Sequence, residues 1–313
     1  MKVIFMGTPD LAKVVLEALI NSDNEVQAVV TQPDKPKGRG YELTPPPVKV
    51  CALEHGIEVY QPTTLKNGEM QPIIDQYKPD AIIVVAYGKI LPPYVLEFGG
   101  YGCINVHGSL LPEYRGAAPI QRAIIDGKTK TGITIMKMDD GIDTGDMLTK
   151  AEVEIKPEDN FETMHDKLAE AGGKLLVETL EMLEKGEITP EKQDNSLSNY
   201  AKKIEKSDCL LDFSEDAYSI WCRIRGLSPI PLAFAYLNGK MVKFISAEYS
   251  EKDHNGAEGE VVSLEGGKIE IACGKGSILL TRLLPEGKGR MDSLGFINGR
   301  RVSVGDIFKS TKE

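Results

Sequence analysis

An open α/β sheet domain followed by a small β-barrel is the architecture this sequence predicts, and three observations carry the expectation. The first lies at the start. Lys2-Val3-Ile4-Phe5-Met6 is a short apolar run, Gly7-Thr8-Pro9-Asp10 turns it, and Leu11, Val14, Val15, Ala18 and Leu19 recur at helical spacing. With Val26-Gln27-Ala28-Val29-Val30 they make a strand, a helix and a second strand, the opening of a βαβ unit. The second observation is Ala81-Ile82-Ile83-Val84-Val85-Ala86, apolar throughout, as expected of a central parallel strand covered on both faces. The third is a change of texture beyond Ser207, where helical spacing yields to short strands and tight turns. Asn238-Gly239, between apolar runs at 233–236 and 241–244, is a strong hairpin signal.

Size and charge narrow the class. A chain of 313 residues is long enough for two domains and a sizeable core. No apolar run approaches the roughly 20 residues that a membrane helix needs. The first residues run straight into a strand, without the cleavage region of a signal peptide. The five cysteines (Cys51, Cys103, Cys209, Cys222, Cys273) are odd in number, scattered and free of any C-x-x-C pair. They fit reduced thiols rather than a disulfide frame or a zinc site, so a cytoplasmic location is expected. The net charge of −10 argues against a nucleic-acid partner, yet residues 268–313 hold nine Lys or Arg against five Asp or Glu. A local patch of that size tracks phosphates weakly and with salt sensitivity.

Taken in order, the elements begin with Asp10, expected to cap the first helix. The first turn is not a G-x-G-x-x-G fingerprint, so no dinucleotide site is expected. Residues 33–47 form a long proline- and glycine-rich loop bearing Lys35, Lys37 and Arg39; such a loop is usually functional or disordered. A helix at 48–54, a short strand at 56–60 and a helix at 70–77 follow. Tyr87-Gly88-Lys89-Ile90-Leu91-Pro92 leaves the carboxyl end of the 81–86 strand as a turn. A strand at 103–106, a helix from 116 to 125 ending near Gly127, and an alternating strand at 133–136 come next. Asp159 or Asn160 caps a long helix in which Phe161, Met164, Leu168, Ala171, Leu175 and Leu183 keep helical spacing, and Lys185-Gly186 closes it. The polar stretch 190–206 is expected to be a linker between domains at 1–189 and 207–313, with a short helix near 200–204. Turns at 265–267 and 273–276 complete a pattern of strands every ten residues or so, which an OB-like barrel fits. Such barrels often bind nucleic acid, but they also serve as plain packing modules.

One stretch stands out chemically: Ile104-Asn105-Val106-His107-Gly108-Ser109-Leu110-Leu111-Pro112. Gly108 and Pro112 stop the strand, so His107 sits at its carboxyl end or just past it, where open α/β sheets bind ligands. Asn105 and His107 are two apart on an extended segment and share a face. An amide donor beside an imidazole suits the stabilisation of a developing oxyanion. A satisfied structural histidine is the plainer alternative. The loop Met138-Asp139-Asp140-Gly141-Ile142-Asp143-Thr144-Gly145-Asp146 tilts the balance, because one of its carboxylates can orient the imidazole and favour its charged form. A calcium reading of that loop fails for want of alternate carboxylates and a closing Glu. Asp140 and Asp146 are expected to cap the loop or face solvent. Cys103 lies near but has no paired base, and is read as structural.

Asn105, His107 and Asp143, with Ser109-Leu110-Leu111-Pro112 between them, resemble the signature of the 10-formyltetrahydrofolate-dependent formyltransferases. From Gly7-Thr8-Pro9 through loop 33–47 to the second domain, the chain is similar to the methionyl-tRNA branch of that family over nearly its full length. The resemblance implies a Rossmann-like domain followed by an OB-like barrel. It implies formyl transfer from 10-formyltetrahydrofolate to the α-amine of methionine on initiator tRNA, for translation initiation. Asn105 and His107 would stabilise the oxyanion, and Asp143 would hold His107. Ser109, Leu110, Leu111 and Pro112, with Tyr87, Gly88 and Ile90, would meet the folate. Arg39, Lys35 and Lys37 would meet the acceptor stem, and the barrel would meet tRNA elsewhere. The partners expected are Met-tRNA and folate, with no metal and no membrane, and the chain acting as a monomer. The rivals are a formyltransferase acting on an amino-sugar nucleotide, a single-domain glycinamide ribonucleotide formyltransferase, which leaves 207–313 unexplained, and a non-catalytic folate- or RNA-binding protein.

Overall fold

The structure, a computed structural model, describes residues 1–37, 42–252 and 254–312. Arg39 lies outside the described residues. The chain divides into two compact units: Met1–Gly116, Thr131–Glu154 and His165–Ala201 form one, and Ala117–Lys130, Ile155–Met164 and Lys202–Glu313 the other. This differs from a single linker at 190–206, since most of that stretch belongs to the first unit. The reason is long-range pairing, which no local pattern reveals.

In chain order the elements are β1 (Lys2–Gly7), α1 (Asp10–Ile20), β2 (Glu25–Val30), β3 (Lys35–Lys37), β4 (Glu42–Thr44), α2 (Pro47–Glu54), β5 (Val59–Tyr60), α3 (Gln71–Tyr77), β6 (Ala81–Val85), α4 (Pro93–Leu96), β7 (Gly102–His107), β8 (Arg115–Gly116), α5 (Pro119–Ile125), β9 (Lys130–Lys137), β10 (Met147–Glu154), α6 (Phe161–Glu184) and β11 (Tyr200–Ala201). The main sheet of the first unit runs β10-β9-β7-β6-β1-β2-β5. The five strands from β7 to β5 pair in parallel, and β9 joins β7 antiparallel. Strand order therefore reverses between β1 and β6, the kind of switch point beyond whose carboxyl ends ligands bind. All five residues of β6 are buried, as the uninterrupted apolar run requires. Ile4, Met6, Ile82, Val84 and Cys103 supply one core layer on these strands.

Several expectations shift. Asp10 is the first residue of α1 and caps nothing with its side chain, since Pro9 holds the cap position; its charge still suits the helix's positive end. The loop 33–47 contains an antiparallel ribbon, with Lys35 opposite Thr44 and Lys37 opposite Glu42. Gly116 belongs to β8, and the helix expected from 116 begins at Pro119, whose fixed φ suits a first helical position. β9 is not alternating: six successive residues are buried because it is covered on both faces. No helix forms at 200–204; Tyr200 and Ala201 instead pair in parallel with Arg115 and Gly116. The α6 cap resolves to Asn160, whose side chain accepts from Thr163 N–H while the Thr163 hydroxyl accepts from Asn160 N–H, a reciprocal box.

The second unit continues with α7 (Ala217–Gly226), β12 (Ala233–Leu237), β13 (Lys240–Ser250), β14 (Val261–Ser263), β15 (Ile269–Ala272), β16 (Ser277–Pro285), β17 (Met291–Asp292), α8 (Ser293–Asn298) and β18 (Phe308–Lys309). The order is β14-β15-β16-β13-β12-β18, antiparallel throughout, with β17 added to β16. The Asn238-Gly239 hairpin forms with both residues at positive φ, the requirement of a type I′ turn. Register shifts in β13 between Phe244 and Ala247 help the sheet curl into a half-barrel, since bulges increase local twist. Phe213, Phe244 and Phe308 meet inside it, their ring centroids about 6 Å apart. Helix α7, which the strand-rich texture hides, begins at a cap formed by Asp216 on Ser219 N–H. Asp292 caps the short α8 in the same way, through Gly295 N–H.

Candidate active site

His107 is the last residue of β7, opposite Thr134 of β9, and Asn105 lies opposite Met136. Both side chains are largely enclosed, His107 at 5% and Asn105 at 9% exposure. His107 Nε2 is 2.9 Å from the carbonyl of Tyr114. A carbonyl only accepts, so Nε2 carries the hydrogen and Nδ1 is left facing Asp143. Asp143 Oδ2 stands 3.7 Å from Nδ1, within ion-pair range but beyond a hydrogen bond. The same oxygen accepts from Gly116 N–H at 2.8 Å. The Asn105 amide has no hydrogen-bond partner among the described residues. It is the unengaged donor of the pair.

Asp143 is held with unusual firmness. Its φ of 53° is left-handed, a conformation that aspartate tolerates better than most residues. Gln193 Nε2 donates to the carbonyls of Asp143 and Gly145, each at 2.8 Å. Gly145 has no room for a side chain, as a Cβ there would lie 1.8 Å from the carbonyl oxygen of Lys137. The loop's own cap is Asp139, which accepts from Gly141 N–H and the Thr144 hydroxyl, while Asp140 is exposed. Among the described residues no group of three or more His, Cys, Asp or Glu is gathered to hold a metal ion.

The segment after His107 is fixed from within. The Ser109 hydroxyl donates to Glu113 O at 2.6 Å. The Thr134 hydroxyl donates to Ser109 O and accepts from Leu111 N–H, at 2.7 and 3.0 Å. Leu111 packs with Met136 and Met147. Leu110 and Pro112 are partly exposed. Across the sheet, Tyr87 follows β6 with its ring in the core and no partner for its hydroxyl among the described residues. Burial pushes that phenol up to about 12. The Tyr87 carbonyl accepts from the Thr8 hydroxyl and from Gln32 Nε2, tying together chain that leaves β1, β2 and β6. Gly88 takes a φ of 82°, and Ile90 is 89% exposed. Lys35 is exposed on β3. At the ribbon's base Asp34 meets Gln61 and Lys49, which hold its carboxyl below the ordinary value. Cys103 Sγ donates to Val95 O, and burial pushes the thiol up to about 12, which disarms it as a nucleophile.

Residues that carried no motif complete the site. Arg115 is buried, with Nε on Gln193 Oε1 and Nη2 on Asn195 Oδ1, both at 2.9 Å. Asn199 Oδ1 accepts from Tyr114 N–H. The signal available in sequence was three amide side chains, Gln193, Asn195 and Asn199, crowded into one polar stretch.

Residues 1–180 match the family model for formyl transferase, and residues 203–301 match that for the formyl transferase C-terminal domain. The chain belongs to the formyl transferase family. This formyl transferase is 46% identical to a methionyl-tRNA formyltransferase of Bacillus subtilis, over 100% of this chain and 99% of that one. It is 45% identical to a methionyl-tRNA formyltransferase of Citrifermentans bemidjiense, over 98% and 96% of the two chains. A solved N-formyltransferase of Helicobacter canadensis, in complex with folinic acid and dTDP-3-aminofucose, shares the fold with a TM-score of 0.67. At 20% identity, covering 90% of this chain and 98% of that one, that likeness speaks to architecture alone.

Proposed function

We propose that this formyl transferase moves a formyl group from 10-formyltetrahydrofolate to the α-amine of methionine on initiator tRNA, serving translation initiation in the cytoplasm. The observation that carries the reading is similarity at 45–46% identity, spanning nearly all of both chains, to relatives named methionyl-tRNA formyltransferase. The amino-sugar reading rests only on a likeness of fold. The first unit, which reaches Ala201, carries the chemistry, and residues 207–313 contribute tRNA contacts.

In this reading the neutral amine attacks the formyl carbon, a C–N bond forms, and the carbonyl electrons move to oxygen. The unengaged amide of Asn105 donates to that oxyanion directly. His107 keeps its Nε2 hydrogen on the Tyr114 carbonyl and turns Nδ1 toward Asp143. It therefore donates from Nδ1 when that nitrogen carries a proton, a form that the facing carboxylate favours. Collapse breaks the bond to the folate nitrogen, which takes up a proton as the amine gives one up to water beside Asp143. The amine is itself the nucleophile, so no covalent enzyme intermediate is needed. Ser109-Leu110-Leu111-Pro112 and Tyr87, Gly88 and Ile90 border the folate. Arg39, with Lys35 and Lys37, meets the acceptor arm. The test offers purified protein labelled 10-formyltetrahydrofolate with Met-tRNA or dTDP-amino sugars. Formylation of Met-tRNA alone is expected; preference for the sugar, or binding without turnover, would sink the reading.

A further inference from the structure

His107 and Asp143 sit on different stretches of chain, and at 3.7 Å no hydrogen bond between them fixes their separation. The fixing is indirect. Two residues of one short segment hold one partner each: the Tyr114 carbonyl takes His107 Nε2, and Gly116 N–H donates to Asp143 Oδ2. Residues 193–201 grip that segment in turn. Asn199 O accepts from Arg115 N–H at 3.1 Å, and Tyr200-Ala201 pair with Arg115-Gly116.

Gln193 stands where these restraints meet. Its Oε1 accepts from Arg115 Nε, and its Nε2 donates to the carbonyls of Asp143 and Gly145. One side chain therefore bridges the segment that holds His107 and the turn that carries Asp143. The position requires an acceptor at one atom and two donors at the other, which a primary amide supplies and a carboxylate does not. We propose that Gln193 is a positioning residue that sets the separation of His107 and Asp143, through Arg115 on one side and the 143–145 backbone on the other. The proposal rests on the reading of His107 and Asp143 as working groups of the reaction.

A merely structural glutamine would lower stability and affect every variant background alike, so a double-mutant cycle separates the roles. Gln193→Glu keeps the acceptor for Arg115 and removes both donors. It is made alone and with Asp143→Asn, in the full chain, and Met-tRNA formylation is followed at steady state. The expected loss in kcat for Gln193→Glu alone is on the order of 10-fold, with either KM changed less than about twofold. In the Asp143→Asn background the further loss should be under about twofold, because the group being positioned is already disabled. Equal losses in both backgrounds, or none in the first, overturn the proposal. Should the Glu variant melt below the assay temperature, Gln193→Asn carries the same cycle with the same overturning results. Full turnover by Asp143→Asn overturns the catalytic reading and this proposal together. A crippled Asp143→Asn beside a fully active Gln193→Glu overturns the proposal alone.

Discussion

Strand β7 and the stretch 193–201 both build the candidate site, and they do so by opposite means. β7 is wholly buried and paired on both sides; it delivers Asn105 and His107 at the end of a rigid element. The later stretch is polar and largely exposed, with only a two-residue strand and a short turn of helix, yet its amides hold Tyr114, Arg115 and the Asp143 turn. The difference teaches that reactive groups and the groups that place them obey different constraints. A reacting side chain needs a specific chemistry at a rigid position. A placing side chain needs only a complementary donor or acceptor within reach.

If the chemistry is concentrated on β7, substitutions there cost most. Asn105→Ala and His107→Ala should each lower kcat by about 10²–10³, the usual cost of removing an oxyanion donor, while the fold is kept. His107→Ala also loses stability through the Tyr114 carbonyl it leaves unpaired. Near-normal turnover in both would dissolve the contrast. Arg39→Ala comes next, and is expected to raise KM for Met-tRNA several-fold at fixed salt while donor binding stays as it was. Arg39→Lys should recover part of the loss, returning the charge without the planar fork. Unaltered tRNA kinetics would remove the ribbon from the account.

Arg115→Met probes the placing stretch as structure. It strips charged donors from the side-chain oxygens of the half-buried Gln193 and the exposed Asn195, so urea unfolding should show a loss of about 1–3 kcal/mol. Stability equal to the parent would mean that the amides find other partners. Tyr87→Phe carries the smallest expectation. Its hydroxyl is buried without a partner among the described residues, so removing it should leave stability equal or slightly higher and donor KM unchanged. A raised donor KM would show that the phenol, rather than the backbone of that loop, meets the folate.

The order of β1, α1, β2 and β6 was legible because each carries its own period or uninterrupted apolar run. His107 at a strand end was legible because Gly108 stops the strand beside it. The pairing of Tyr200-Ala201 with Arg115-Gly116 was not, since the partners are 85 residues apart and each strand is only two residues long. Gln193 was hidden for the same reason: nothing near it in sequence distinguishes an amide that bridges two segments from one that faces water. Helix α7 was missed because it is short and lies among strands, although Asp216 and Ser219 spell its cap.

The left-handed Asp143 and the closed-in Gly145 also bear on how the enzyme can be re-engineered. A saturation library across 139–146 would look like a map of catalytic importance, but at Gly145 every side chain collides with the Lys137 carbonyl whatever its chemistry. Dead variants there would measure the tightness of a backbone turn. Efforts to recruit a new acceptor amine are better aimed at a position such as Leu43, whose side chain stands in the open and can be exchanged without disturbing the carboxylate.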